Sequence, residues 1–293
     1  MSVASPLTPL AIRVVVPVFN PGAELLEFRA SLAAASAQPL ELVIVNNGAK
    51  CELIDQLASD GVVIVSHQDG NVGYGRAANL GATGFEGEWL VIANPDIVWE
   101  PGSLDRLLDV AQADPTAGSC GPRIFDSHGI IYPSARALPS LSIGVGHAVF
   151  HRVWPTNPWS AKYRQAQAAL TASHPVTVGW LSGACLLVRA AAWNSVGGFD
   201  ERYFMFFEDV DLGDRLTKAG WHNVYVPAAQ VTHLQGASWK DNPAPMIRAH
   251  HASAKLFLFD RWGAWWQAPI RAGLGLGLWV REKIEVALSR RNR

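Results

Sequence analysis

IRVVVPVFNPG, residues 12–22, is an apolar, β-branched run that stops at Asn20-Pro21-Gly22. Such a run, bounded by turn residues, reads as a buried strand. Leu25, Leu26, Phe28, Leu32 and Ala33 then share one face of a helix over 23–37. The pattern repeats downstream. Strands at LELVIVNN (40–47), VVIVSH (62–67) and EWLVIANPD (88–96) alternate with helices near 51–59, 74–84 and 103–113. This alternation predicts an α/β fold with a mostly parallel sheet covered on both faces. Ligands of such sheets sit outside the carboxyl ends of the strands. Asn20, Asn46-Asn47, Asn71 to Asn79 and Asn94 to Asp96 all fall at or just past those ends, so one shared site is expected.

The second half is less regular. Residues 127–178 are rich in Pro, Gly and Ser, with some helix expected around 160–170. VGWLSGACLLVR (178–189) reads as a strand returning to the core, and a helix is expected from near Asp209 to Lys218. HNVYVPA (222–228) reads as a strand before QVTHLQG (230–236), and residues 246–260 and 262–288 look helical. The 293 residues suit one large domain with an appendage. The net charge of −1 excludes a general polyanion-binding surface, so no nucleic acid is expected. Three widely spaced cysteines predict a reducing compartment, and residues 1–19 lack the pattern of a secretory signal.

Charge is unevenly spread. Residues 260–293 carry seven Lys/Arg against three acids, a net of +4 that leaves −5 for residues 1–259, and hold four of the 12 tryptophans. The tail therefore meets different surroundings from the body. Its apolar run Ala272–Val280 is too short to span a bilayer, which needs ~20 residues. Trp and Leu at helical spacing with basic residues at the edges predict a helix lying on a membrane surface. A helix packed on the domain or on a partner subunit would use the same pattern.

Four motifs could carry chemistry. Asn94-Pro95-Asp96 ends a strand, where a carboxylate can hold a hard divalent cation, although the same tripeptide makes a good turn. Asn71-Val-Gly73-Tyr-Gly-Arg76-Ala-Ala-Asn79 combines small residues with a helix start, which suits an anion, and it is not a dinucleotide fingerprint. Glu208, Asp209 and Asp211 follow the aromatic run 203–207. A carboxylate beside apolar rings can serve as a general base, and acids also complement a helix N-terminus, so spacing leaves both roles open. His233 lies just past a strand; a lone histidine is more often structural. Cys185 reads as a buried strand residue.

Taken in order, VPVFN, IVNNG, NVGYGRAAN, NPD, WLSGACLLVR, GGFDERYFMFFEDVDL and VTHLQG resemble a family 2 glycosyltransferase of GT-A fold over about residues 12–240, in its rhamnosyltransferase-like branch. The resemblance implies a GT-A domain over 1–240, with a nucleotide-sugar half (1–125) and an acceptor half (126–240), and a C-terminal amphipathic helical region over 241–293. It places Pro17, Phe19, Asn20, Asn46, Asn47, Asn71, Gly73, Arg76, Asn79, Asn94 and Asp96 at the nucleotide sugar. The family usually has Asp-Asn where this chain has Asn46-Asn47, and an earlier acid where it has Asn94. Trp180, Ser182 and Gly183 resemble acceptor-site residues, Asp96 and His233 metal ligands, and Asp209 the catalytic base with Glu208 beside it. It further implies an inverting reaction, Mg²⁺ or Mn²⁺ as cofactor, dTDP-rhamnose as donor and polyprenyl-diphospho-GlcNAc as acceptor, in synthesis of the cell-wall arabinogalactan linker. The expected location is the inner face of the cytoplasmic membrane, as a peripheral protein, with homo-oligomerisation left open. Another family 2 transferase using UDP-galactofuranose or another dTDP-sugar, a nucleotidyltransferase, and a non-catalytic membrane scaffold are the competing readings.

Overall fold

The computed structural model describes residues 11–67, 70–138, 171–234 and 243–291. The helix expected around 160–170 lies outside them. The first strand, β1 (Ile12–Val18), pairs in parallel with β2 (Leu40–Asn46) and β4 (Trp89–Ala93), and β2 pairs in parallel with β3 (Val63–Ser66). The helices between them are α1 (Glu24–Ala35), α2 (Glu52–Ser59) and α3 (Tyr74–Ala82). Then follow β5 (Ile97–Trp99), α4 (Ser103–Ala113), β6 (Ala117–Asp126), β7 (Ile131–Tyr132) and β8 (Ala135–Arg136). Past residue 170 come β9 (Val176–Val178), β10 (Trp180–Leu181), β11 (Cys185–Arg189), α5 (Ala190–Val196), α6 (Glu208–Lys218) and β12 (His222–His233). Two long helices close the chain, α7 (Pro243–Arg261) and α8 (Ala268–Arg291).

The main sheet runs β3-β2-β1-β4-β11-β6-β12-β5. β11 is antiparallel to both neighbours and β5 antiparallel to β12; the other steps along this order are parallel. Strand order reverses between β1 and β4, which opens a crevice at their carboxyl ends.

Alternation along the strands sorts the core into two layers. Val14, Val16 and Val18 of β1 point toward α1, α2 and α4, meeting Phe28, Leu57 and Leu107. Val15, with Ile92 and Val188 of neighbouring strands, joins the cluster that holds α3, α5 and α6. The α3 helix lies close to the sheet because its inner residues are small. A Cβ on Gly81 would strike Val15 and Val45.

Three departures from the sequence reading have local causes. β6 was not expected, because Gly118, Gly121 and Pro122 interrupt it. Gly118 faces Trp221 and Gly121 faces Leu181, so large neighbours fill the space that side chains would take. Pro122 pairs with Val226 beside the register shift to Gln230, where a missing N–H is tolerated. The expected strand 178–189 is three pieces, with Ser182–Ala184 forming a turn between β10 and β11. The segments 222–228 and 230–236 form one strand through His233, bent at that same register shift.

Candidate active site

A cavity of about 900 Å³ opens at the carboxyl ends of β1 and β4. Its lining includes Pro17, Phe19, Asn20, Asn47, Asn71, Asn94, Asp96 and His233, so eight residues singled out from sequence meet around one space. Asn20 leaves β1 in the left-handed region (φ 51°) and packs against Gly48, where a Cβ would collide with it.

One wall is the end of β4 facing the end of β12. β12 pairs with β5, which sets His233 opposite Ile97, and His233 Nε2 lies 3.1 Å from Asp96 Oδ1. Asn94 Nδ2 is 3.3 Å from the same ring nitrogen. The other ring nitrogen of His233 is buried without a partner. A carboxylate oxygen and an imidazole nitrogen converging on a cavity are suitable donors for Mg²⁺ or Mn²⁺. Among the described residues no third His, Cys, Asp or Glu joins them, so ligand oxygens would have to complete the shell.

The second wall is the turn into α6: Phe206 lines the cavity, and Glu208 and Asp209 stand behind it, outside the lining residues. Phe206 and Phe207 both take positive φ (67° and 66°), a strained conformation for two successive bulky residues. The turn launches α6 with Glu208 and Asp209 in its first turn, and no side chain caps this helix. Asp209 does not serve as the cap. Its Oδ2 accepts from Gly183 N at 3.0 Å and its Oδ1 from Val210 N at 2.8 Å. Glu208 is buried, and its Oε2 has no partner. Burial first, then the neighbouring Asp209 charge, pushes the Glu208 carboxyl up to about 8. Burial also raises Asp209, against the two backbone N–H bonds that favour its charged form. The pair is therefore unequal: the negative charge rests on the carboxylate that holds donors.

The Ser182–Ala184 turn ties the walls together. Gly183 N donates to Asp209, Tyr74 Oη donates to Gly183 O at 2.7 Å, and Asn94 N donates to Ala184 O at 2.9 Å. Ser182 Oγ accepts from Ala184 N within the turn itself. Trp180 stands on Gly213, where a Cβ would strike it, and its indole N–H donates to Ala137 O.

Several of the polar residues face loops. Asn47 Nδ2 donates to Gly73 O and its Oδ1 accepts from Val72 N, so this amide shapes the loop before α3. Asn46 clasps Gly48 and Ala49 in the same manner. Gly73 is left-handed (φ 89°) with Phe204 O pressed against its Cα, a place with no room for a side chain. Asn79 exchanges two hydrogen bonds with the Phe199 backbone, and Arg76 sits 3.6 Å from Glu201 at the surface. Sequence reading missed Tyr132, Met205, Phe206, Met246, Ile247, His250 and Glu285, all of which line the cavity. Tyr74 and Phe206 lay inside quoted motifs; the inward face of α7 carried no such signal.

The fold is that of a GT-A glycosyltransferase. It superposes on GalNAc-T7, solved with UDP, GalNAc and Mn²⁺, with a TM-score of 0.57 at 16% identity, covering 78% of this chain and 44% of that one. It likewise superposes on TarS of S. aureus with a TM-score of 0.54 at 14% identity, covering 83% of this chain and 39% of that one. The chain belongs to the glycosyltransferase-like family 2, whose model matches residues 9–249. It is 45% identical to the N-acetylglucosaminyl-diphospho-decaprenol L-rhamnosyltransferase of Mycobacterium tuberculosis over 95% of this chain and 94% of that one.

Proposed function

We propose that this glycosyltransferase moves L-rhamnose from dTDP-rhamnose to the GlcNAc of a polyprenyl-diphospho-GlcNAc acceptor, with inversion, at the inner face of the cytoplasmic membrane. The observation that carries the reading is the full-length likeness to the mycobacterial enzyme named for that acceptor, together with Asp96 in the cavity lining and Asp209 behind Phe206, tied to the lining residue Tyr74 through Gly183. The product would be the linker on which arabinogalactan is built.

Asp209 is the base. It takes the proton from the acceptor hydroxyl as that oxygen bonds to the anomeric carbon and the bond from that carbon to the diphosphate breaks. A positioned base contributes typically ~10²–10⁴-fold. Glu208 stays protonated beside it, which spares the site a second buried charge. Gly183 N–H and the turn around it fix the Asp209 rotamer, with Ser182 and Trp180 on the acceptor side. Asp96 and His233 would hold Mg²⁺ or Mn²⁺, with Asn94 supporting the histidine. Such a cation, when bound, offsets charge on the departing diphosphate. Pro17, Phe19, Asn20 and the Asn71–Gly73 loop hold the nucleotide, and Asn46, Asn47, Arg76 and Asn79 keep that loop and the α3 start in place.

The test is incubation with a panel of nucleotide sugars and a short polyprenyl-diphospho-GlcNAc analogue, read by product mass. A single added deoxyhexose from dTDP-rhamnose is expected. Transfer of a hexose from UDP-galactofuranose instead would replace the donor assignment.

A further inference from the structure

The two tail helices present two unlike faces. Inward, Phe257 of α7 packs with Tyr203 and Val210, and Ser253 Oγ donates to Met205 O at 2.8 Å. Met246, Ile247 and His250 of α7 and Glu285 of α8 line the catalytic cavity. Outward, α8 carries a ridge of Leu276, Val280, Ile284 and Leu288 at four-residue steps, exposed to 63%, 43%, 53% and 52%. Trp279 stands beside it, and Trp265 and Trp266 project from the turn before α8, 86% and 61% exposed. Large side chains in one unbroken line at this exposure mark an interaction surface.

We propose that this ridge docks on an anionic lipid bilayer, with α8 lying in the plane of the headgroups and the cavity mouth held at their level. Charge decides the occupant. Residues 260–293 carry a net +4 against −5 for the rest of the chain, and Arg281 and Lys283 flank the ridge, exposed although each is ion-paired with a glutamate of the same helix (Glu285 and Glu282). A second copy seated on the ridge would bring two positive tails together, whereas an anionic surface is complementary. No helix among the described residues is long and apolar enough to cross a membrane, so the helix lies flat. The 24 residues of α8 give a footprint about 36 Å long. Tryptophan rings favour the headgroup boundary, and the lysine stem reaches past it to phosphate. The opposite side of the same helix pair walls the cavity, so docking sets the site where a lipid-linked acceptor displays its sugar. That last step rests on the proposed acceptor.

The experiment is flotation of the full chain with vesicles of phosphatidylcholine alone or with phosphatidylglycerol, free of donor and acceptor, so docking is read whatever the sugar proves to be. Binding to the anionic vesicles with a blue shift of tryptophan emission is expected, at least about tenfold tighter than to the neutral ones. Leu276→Ser/Val280→Ser/Ile284→Ser should lose it while retaining dTDP binding and the thermal midpoint. Lys283→Glu, a change at an exposed side chain, should weaken it severalfold. Equal flotation of wild type and both variants would overturn the proposal. So would absent flotation with a dimer in sedimentation that the triple variant abolishes, which would give the ridge to a second copy.

Discussion

The two walls hold acids in different settings: Asp96 in the cavity lining, Glu208 and Asp209 behind the lining residue Phe206. At the end of β4, Asp96 stands 3.1 Å from His233, each with a modest exposed edge on the cavity (side chains 12% and 15% exposed). At the start of α6, Glu208 is buried and Asp209 half-buried, neither has a salt-bridge partner among the described residues, and both follow a strained backbone turn. A carboxylate beside an imidazole, opening on the cavity, is suited to a hard cation. A carboxylate held only by backbone N–H groups, beside a buried second carboxyl, is suited to a proton. The difference arises from secondary structure. Strand ends deliver side chains from two neighbouring strands to one point, whereas a helix start delivers consecutive residues together, which crowds like charges.

The largest effect should come from the proton wall. Asp209→Asn keeps the shape and an acceptor for one of the two backbone N–H groups, Gly183 or Val210, and removes the basic oxygen. The rate of transfer should fall by ~10²–10⁴-fold, with dTDP-rhamnose binding and circular dichroism unchanged. Single-turnover kinetics beside nucleotide binding measures this. An active Asp209→Asn with a dead Glu208→Gln would exchange the two roles.

The cation wall comes next. Asp96→Ala, or EDTA treatment of the wild type, should slow transfer by about 10²-fold, and Mg²⁺ or Mn²⁺ should restore only the treated wild type. Calorimetric titration of the metal in the presence of dTDP gives an independent readout. Full activity of both the chelated enzyme and Asp96→Ala would remove the cation from this wall, and the contrast with it.

Much of the cavity was legible because strand-end position is a sequence property. VPVFN and ANPD each place their polar residues one or two steps past an apolar run, and the sheet brings those ends together. The role of each amide was less legible. Asn47 and Asn79 look like ligand contacts in sequence, yet their side chains bond to Gly73 and Phe199 backbone, because a buried loop must satisfy its own N–H and C=O groups first. β6 escaped notice because its glycines are complementary to Trp221 and Leu181, residues far along the chain that are adjacent to them only in space. The tail was read as a surface element, and its outer ridge agrees. Nothing in its periodicity told that His250 and Glu285 would turn inward to the cavity.

The smallest effect, and the finest probe of the contrast, is Glu208→Gln. The glutamine reproduces a protonated glutamate in shape and removes its titration. If Glu208 holds its proton near neutrality, the rate at pH 7 should fall less than about tenfold, far less than for Asp209→Asn. Stability reports the same proton. The folded-state value is raised, from the ordinary 4.5 to about 8, so the stability that burying this carboxyl gives is full below 4.5 and is lost as pH rises through 8. The glutamine cannot lose it. The thermal midpoint of Glu208→Gln minus that of the wild type should therefore grow more positive between acid pH and pH above 8, whatever other groups titrate in both proteins. A difference that stays flat across that range would mean that Glu208 titrates as an ordinary carboxyl and is ionised at neutral pH, so that the start of α6 carries two charges where the geometry assigns one.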